Sequence, residues 1–227
     1  MKLVSRCLAS VVLLALLASP AAAQRKRDRS FQWYWGGQGG AFSYRTLQQS
    51  FTYDPVAGGH WLITANRTAL YFAYEQAWFL TDATTVIADP ASLGTPTILP
   101  GFRQVTFGNM RRLMMGVLAF PLQKRIEPYV GGGFALMQVL DPVVDCSTCV
   151  TLSELIGAQD RAEDAASKAF FWVMGGLQIS QGRLALFGQY LATSASQRFL
   201  IDGNTHSLQG GLRFSLGTSK EGITERN

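Results

Sequence analysis

Between Thr205 and Gly217 the chain reads T-H-S-L-Q-G-G-L-R-F-S-L-G, a strict two-residue alternation. His206, Leu208, Leu212, Phe214 and Leu216 fall on one parity, and Ser207, Gln209, Gly211, Arg213 and Ser215 on the other. Successive side chains of a strand point to opposite faces, so this stretch is a strand with one greasy face and one polar or small one. The greasy face needs an apolar surrounding. That surrounding is either the core of a soluble sandwich or barrel, or lipid.

The N-terminus bears on that choice. Lys2 and Arg6 precede an apolar run, Leu8 to Ala18, which Ser19-Pro20 breaks; Ala21-Ala22-Ala23 then supplies an A-x-A cleavage pattern before Gln24. Residues 1–23 are predicted to be a signal peptide, with an uncleaved anchor as the alternative. Residues 24–30 form a basic, solvated tail. The formal net charge of +5 comes from these two segments, since the charges from Ser30 onward cancel. It therefore does not mark a nucleic-acid surface. No later run is apolar for long enough to make a membrane helix, which leaves a secreted protein, a periplasmic protein or a β-barrel in an outer membrane. Of three cysteines, Cys7 lies in the leader. Cys146 and Cys149 are predicted to form a local disulfide, because an exported C-x-x-C in a polar loop lacks the partners of a zinc site. No metal or cofactor is expected.

Eight strands are predicted, at about 31–45, 60–66, 68–80, 103–120, 126–140, 168–180, 183–193 and 205–217. Turn chemistry at Asp54-Pro55, Gly58-Gly59, Asn66-Arg67 and Gln181-Gly182 separates several of them. The links alternate: long at 46–59, 81–102 and 141–167, moderate at 194–204, and short at 66–67, 121–125 and 181–182. An antiparallel meander puts alternate links at opposite ends. Long loops at one end and tight turns at the other is the asymmetry of outer-membrane barrels, with the short turns periplasmic. The expected fold class is thus all-β: an antiparallel, up-and-down, eight-stranded transmembrane β-barrel over residues 31–217. A polar tail, 218–227, follows. Within the 141–167 loop, Thr151-x-x-Glu154 is a capping-box pattern that predicts a short helix.

In such a barrel the greasy parity turns outward. Leu208, Leu212, Phe214 and Leu216 face lipid, as do Leu70, Phe72, Tyr74, Trp78 and Leu80, while Phe31, Trp33 and Trp35 fit an interfacial girdle. The interior is only wide enough for side chains to fill it. The predicted lumenal polar network is Gln38, Glu75, Gln178, Gln189, Gln209 and Arg213, with Arg111 if its strand has the favoured parity. A buried carboxylate needs a cation, and Arg213 and Arg111 are the candidate partners of Glu75. Arg111 and Arg112 are adjacent, so one of them must face outward.

The last strand also resembles the assembly signal of outer-membrane barrels, with Gln209, Gly211, Phe214 and Leu216 in its characteristic places. Across residues 31–217 the chain looks like the small eight-stranded outer-membrane barrel superfamily, with its OmpA-like and OmpX-like members. The resemblance implies recognition by the barrel-assembly machinery and partners in outer-membrane lipid and lipopolysaccharide, with no nucleic acid and a monomeric state. One departure is that the chain continues beyond Leu216, where such proteins often end.

Four functions are compatible with these residues. The first is a non-enzymatic envelope or surface-interaction protein acting through its extracellular loops. The second is an enzyme that modifies lipid A, which needs a Ser and a His at the outer interface. His60 and His206 are the only histidines, both predicted near extracellular strand ends, and no His-x-Ser arrangement is present. The third is a narrow channel, and the fourth a soluble lipocalin-like barrel with every face reversed. The first is expected, with no catalytic residue.

Overall fold

The computed structural model describes residues 31–95, 98–122, 125–195 and 198–219. The predicted signal peptide, the basic segment 24–30 and residues 220–227 lie outside that range. Ten elements follow in order: β1 (Phe31–Arg45), β2 (Thr52–Ala65), β3 (Thr68–Ala88), β4 (Phe102–Ala119), β5 (Ile126–Leu140), β6 (Val143–Val144), α1 (Leu152–Ala165), β7 (Ser167–Gln181), β8 (Leu184–Thr193) and β9 (Asp202–Ser219).

Each strand pairs antiparallel with its neighbour, β3 pairs with β4, and β9 returns to pair with β1. Of the nine strands in the sheet, β6 is a two-residue addition against Val105 and Thr106, leaving eight that close the barrel. The closing seam is long, running from Phe31↔Ser219 to Arg45↔Asp202, so Thr218 and Ser219 extend the last strand into the expected polar tail. Closure gives each of the eight barrel strands a hydrogen-bonded neighbour on both sides.

The alternation of β9 holds through the structure. Ser207, Gln209, Arg213 and Ser215 are buried, and Leu208, Leu212, Phe214 and Leu216 are exposed. On β3, Tyr71, Ala73, Glu75 and Ala77 point in, while Leu70, Tyr74, Trp78 and Leu80 point out. The greasy parity thus faces outward on these strands. Phe31, Trp33, Trp35, Phe134, Phe171, Leu177, Leu186 and Tyr190 are exposed on other strands.

Besides the ends of β9, two boundaries differ clearly from the sequence expectation, both at the end that carries the longer connections. Asp54-Pro55 and Gly58-Gly59 suggested turns, yet both lie within β2. Pro55 lies beyond the end of the β2–β3 ladder at Val56↔Ala77, and the Asp54 carboxylate accepts the Leu80 N–H (3.0 Å) in place of a backbone carbonyl. Gly58 is a close-approach glycine: a Cβ there would lie 2.8 Å from Glu75 Cα. The first connection is therefore residues 46–51 alone, no longer than the turn at 120–125. Likewise β3 runs on to Ala88 after a bulge between Trp78 and Ala83, because Thr84, Thr85, Val86 and Ile87 are β-branched residues suited to a pleated ribbon with β4. The other links keep the long–short alternation.

The interior holds two apolar clusters. One, toward the longer connections, gathers Phe42, Tyr44, Phe79, Phe107, Phe170 and Phe199. The other includes Leu62, Tyr71, Met114, Leu118, Tyr129 and Trp172.

Candidate functional site: a polar lumen beneath a capped mouth

On β3 and β4 a buried polar pair lies between the two clusters, and a polar network extends from it across the interior. Glu75 and Arg112 are register partners on β3 and β4, both about 1% exposed at the side chain. Arg112 donates through Nε and Nη2 to Glu75 Oε2, and through Nη2 to Ser207 Oγ (3.1 Å). The other carboxylate oxygen accepts from Gln38 and from Gln209 Nε2 (3.0 Å). Gln189 donates to Gln209 Oε1 (2.9 Å) and accepts from Tyr129 Oη (2.9 Å). Arg213 donates to His60 Nε2 (3.0 Å) and Gln178 Oε1 (2.5 Å), with its guanidinium 4.0 Å from the Phe187 ring centroid. Gln178 donates in turn to Glu127 (3.1 Å).

Every one of the eight barrel strands contributes: Gln38 from β1, His60 from β2, Glu75 from β3, Arg112 from β4, Tyr129 from β5, Gln178 from β7, Gln189 from β8, and Gln209 with Arg213 from β9. The layer neutralises its buried carboxylate and spans the bore.

The structure brings together the predicted Gln38, Glu75, Gln178, Gln189, Gln209 and Arg213. Three assignments are corrected. Arg111 is exposed on the outer wall and donates to Gln138 Oε1 (2.9 and 2.6 Å); the lumenal cation is Arg112. The sequence signal was weak because Arg112, Met114 and Leu118 alternate with Arg111, Leu113, Met115 and Val117, and both parities are largely apolar. Arg213 is not the ion-pair partner of Glu75, and it spends its donors on His60 and Gln178. His60 is also corrected: it is 2% exposed inside the barrel, not at a strand end. Cys146 and Cys149 are disulfide-bonded, with Cα atoms 5.1 Å apart. Gly211, Phe214 and Leu216 sit mid-strand on β9, the two apolar residues on the outer wall.

Above this layer, α1 covers the mouth. Thr151 accepts from the Glu154 N–H (3.3 Å) and Glu154 accepts from the Val150 N–H (2.8 Å), which sets the start of the helix as the capping pattern predicts. Ala158, Ala162 and Ala166 recur every four residues and bury one face among the inward aromatics of the first cluster.

A second buried carboxylate fixes the cap. Asp89, fully buried just past β3, accepts from Arg103 Nε (2.7 Å) and from Arg161 Nη2 (2.6 Å) on α1. Arg103 also reaches the Asp145 carbonyl (3.5 Å) and Cys146 Sγ (3.3 Å) in the disulfide loop. Burial pushes the Asp89 carboxyl up, but the Arg103 hydrogen bond, the Ala91 N–H and the two guanidinium charges outweigh it and hold it below the usual carboxylate range. Neither Asp89 nor its partners were singled out in the sequence, since contacts between separate loops leave no periodic trace.

Beside α1 opens a cleft of about 1160 Å³. Its charged lining is Arg45, Arg161, Lys168 and Arg198 against Asp164 and Asp202. Arg45 and Asp202 pair at 3.1 Å, both partly exposed. Gly203, at φ +70°, lies under the Arg45 guanidinium, where a Cβ would come within 2.8 Å of Nη2. Among the described residues no group of His, Cys, Asp and Glu could hold a metal ion, and no helix is long and apolar enough to cross a membrane.

No protein-family model and no curated protein matches the chain. Solved structures do match. Neisserial surface protein A shares 10% identity at a TM-score of 0.53, over 80% of this chain and 96% of that one. The attachment invasion locus protein Ail of Yersinia pestis, solved with the heparin analogue sucrose octasulfate, shares 10% identity at a TM-score of 0.36, over 83% of this chain and all of that one. With its strands closed in the same manner, the chain has the fold of the small eight-stranded outer-membrane β-barrels.

Proposed function

We propose that this chain is an integral outer-membrane protein whose barrel serves as a sealed anchor and whose working surface is the capped end, turned toward the cell exterior. The observation that carries this is the double closure of the bore: a side-chain layer with members from all eight strands, and α1 docked across the mouth above it. A bore filled this way favours an anchor over a conduit. The uncharged outward side chains of β9 support lipid embedding. Leu208 to Leu216 spans about 27 Å of strand at ~3.4 Å per residue, or about 20 Å of height at a ~40° tilt, comparable with the ~25 Å apolar band of such barrels.

Binding residues concentrate on loops held by rigid scaffolds. Here the cleft beside α1 is the natural interaction surface, and its excess of cations suits a partner bearing anionic groups. The role is non-enzymatic: His60 is spent on Arg213 inside the barrel, and no catalytic pairing of Ser and His is formed among the described residues. Assembly through the signal on β9, lipopolysaccharide as the surrounding lipid, and a monomeric state complete the proposal.

Intact cells displaying the wild type are expected to bind fluorescent dextran sulfate more strongly than cells displaying Lys168→Glu/Arg198→Glu at the same surface level. Equal binding would remove the cleft from the function.

A further inference from the structure

The Cys146–Cys149 pair serves neither the sealed bore nor the cleft. The structure sets it between β6, which holds Val143 and Val144 against β4, and the start of α1 at Leu152. The backbone around it is held without the sulfur–sulfur bond. The Cys149 N–H donates to the Cys146 carbonyl (3.0 Å), the Ser147 N–H to the Asp145 carboxylate (3.0 Å), and the Asp145 N–H to the Gln104 carbonyl (2.9 Å). A bridge between residues only three apart in sequence also restrains the unfolded chain little, because that restraint grows with the length of loop closed. The pair therefore adds little as a staple, and its two sulfurs stay neighbours when the bond between them opens.

The two sulfurs differ in their surroundings. Arg103 donates through Nη1 to Cys146 Sγ (3.3 Å), and the same nitrogen reaches the Asp145 carbonyl. The Arg103 side chain is 2% exposed, and its Nε is committed to Asp89. Its Nη2 has no hydrogen-bond partner among the described residues, so the guanidinium keeps a buried donor unspent. Among the described residues no hydrogen bond reaches Cys149 Sγ. Both cysteines are partly exposed, beside the exposed Asp145, Ser147 and Val150. A thiolate bonds to one sulfur of a disulfide as it displaces the other, and the sulfur that makes the better-stabilised thiolate leaves faster. A neighbouring guanidinium stabilises a thiolate. Cys146 is thus the leaving sulfur, and Cys149 the one attacked.

We propose that Cys146–Cys149 is a thiol-exchange site, which takes a low-molecular-weight thiol onto Cys149 as a mixed disulfide and releases Cys146 as a thiolate against Arg103. The electron pair of the incoming thiolate forms the new bond to Cys149 Sγ, and the pair of the old bond departs on Cys146 Sγ. Return attack by Cys146 expels the small thiol and restores the bridge. Attack by a second small thiolate instead forms the small symmetric disulfide, and both cysteines end as thiols after taking protons from solvent. Two small thiols are then oxidised as one protein disulfide is reduced. The small size of the substrate follows from the partial exposure of both sulfurs. The exchange needs no particular membrane orientation, so it stands apart from the anchor and its cleft.

The test incubates membranes carrying the full chain with reduced glutathione, quenches early time points with acid, alkylates with N-ethylmaleimide and maps the peptide spanning Cys146 and Cys149 by mass spectrometry. Glutathione is expected on Cys149 with N-ethylmaleimide on Cys146, at about tenfold over the reverse pairing. Arg103→Met removes the guanidinium, so the preference is expected to disappear and the exchange to slow by about tenfold. Heat-modifiable migration in gels reports whether that variant folds, and the wild-type pairing alone carries the test if it does not. A bridge that opens only after the barrel is unfolded would make the pair a staple and overturn the site. Equal or reversed pairing in the wild type, or an unchanged preference in folded Arg103→Met, would overturn the assignment of the leaving sulfur.

Discussion

Two buried carboxylates, Glu75 in the bore and Asp89 under the cap, solve the same electrostatic problem at different range. Glu75 meets Arg112 directly across one ladder, and two glutamines take its second oxygen. Asp89 meets Arg103 from the neighbouring strand and Arg161 from a helix 72 residues away in sequence. The first pair joins strands already bound by backbone hydrogen bonds, so it fills and specifies the bore. The second also follows the β3–β4 ladder through Arg103, but its Arg161 contact reaches α1, which no ladder joins to β3, so it ties the cap to the barrel. One network belongs to the barrel, and the other to the surface above it.

Arg112→Leu should separate them most sharply. Removing one partner of a buried pair leaves an uncompensated charge, with a cost of about 3–5 kcal/mol. Urea unfolding followed by gel migration should show a whole-barrel midpoint shift of that size, and an unchanged midpoint would show that the bore does not depend on the pair. Asp89→Ala should act locally. It strands the buried Arg103, and its expected cost is about 2–3 kcal/mol, discounted because Arg161 is 41% exposed at the side chain. Limited proteolysis should cut the 141–166 segment faster while the barrel midpoint stays close to the wild type. A shift of the barrel midpoint as large as that of Arg112→Leu would merge the two networks into one.

Acid should reach the same contact without mutation. The Asp89 carboxyl is held below its ordinary 3.8, so its stabilisation is fully present above about that value. It is lost as pH falls further, through the lowered value. Protection of 141–166 from an acid-active protease should therefore persist at pH 5 and decline only below about 3.8. Loosening already at pH 5 would assign the cap to another group. Smaller still, Thr151→Ala removes the helix N-cap and should weaken α1 by about 1 kcal/mol, read as faster amide exchange confined to residues 152–156. Arg111→Gln, on the wall, should leave both networks within about 0.5 kcal/mol.

Much of the barrel was legible because a wall one residue thick forces a period of two. The inward Glu75 and the outward Leu70 and Tyr74 follow from that period, as do Gln209 and Arg213 against Leu208 and Phe214. Legibility failed where a residue type has two physical uses. Gly58 reads as a turn, yet it lets β3 approach β2, and Asp54-Pro55 reads as a turn, yet Asp54 replaces a ladder acceptor. Arg111 and Arg112 could not be ordered because both parities of β4 are apolar. The capping pattern revealed that a helix starts at Thr151 but not where it docks. The Asp89 contacts and the cleft depend on loops meeting in space, and no local spacing records that.

The membership of the polar layer bears on how the barrel is finished. Gln209 completes Glu75, Ser207 receives Arg112, and Arg213 satisfies His60 and Gln178, and all three residues ride on β9, the strand that closes the barrel against β1. A chain lacking β9 would hold an ion pair with one carboxylate oxygen short of a donor, beside a sheet with two open edges. The last strand thus acts as a keystone: seating it closes the seam and satisfies the interior in one event, so a truncated or misregistered chain is marked as incomplete by its own electrostatics.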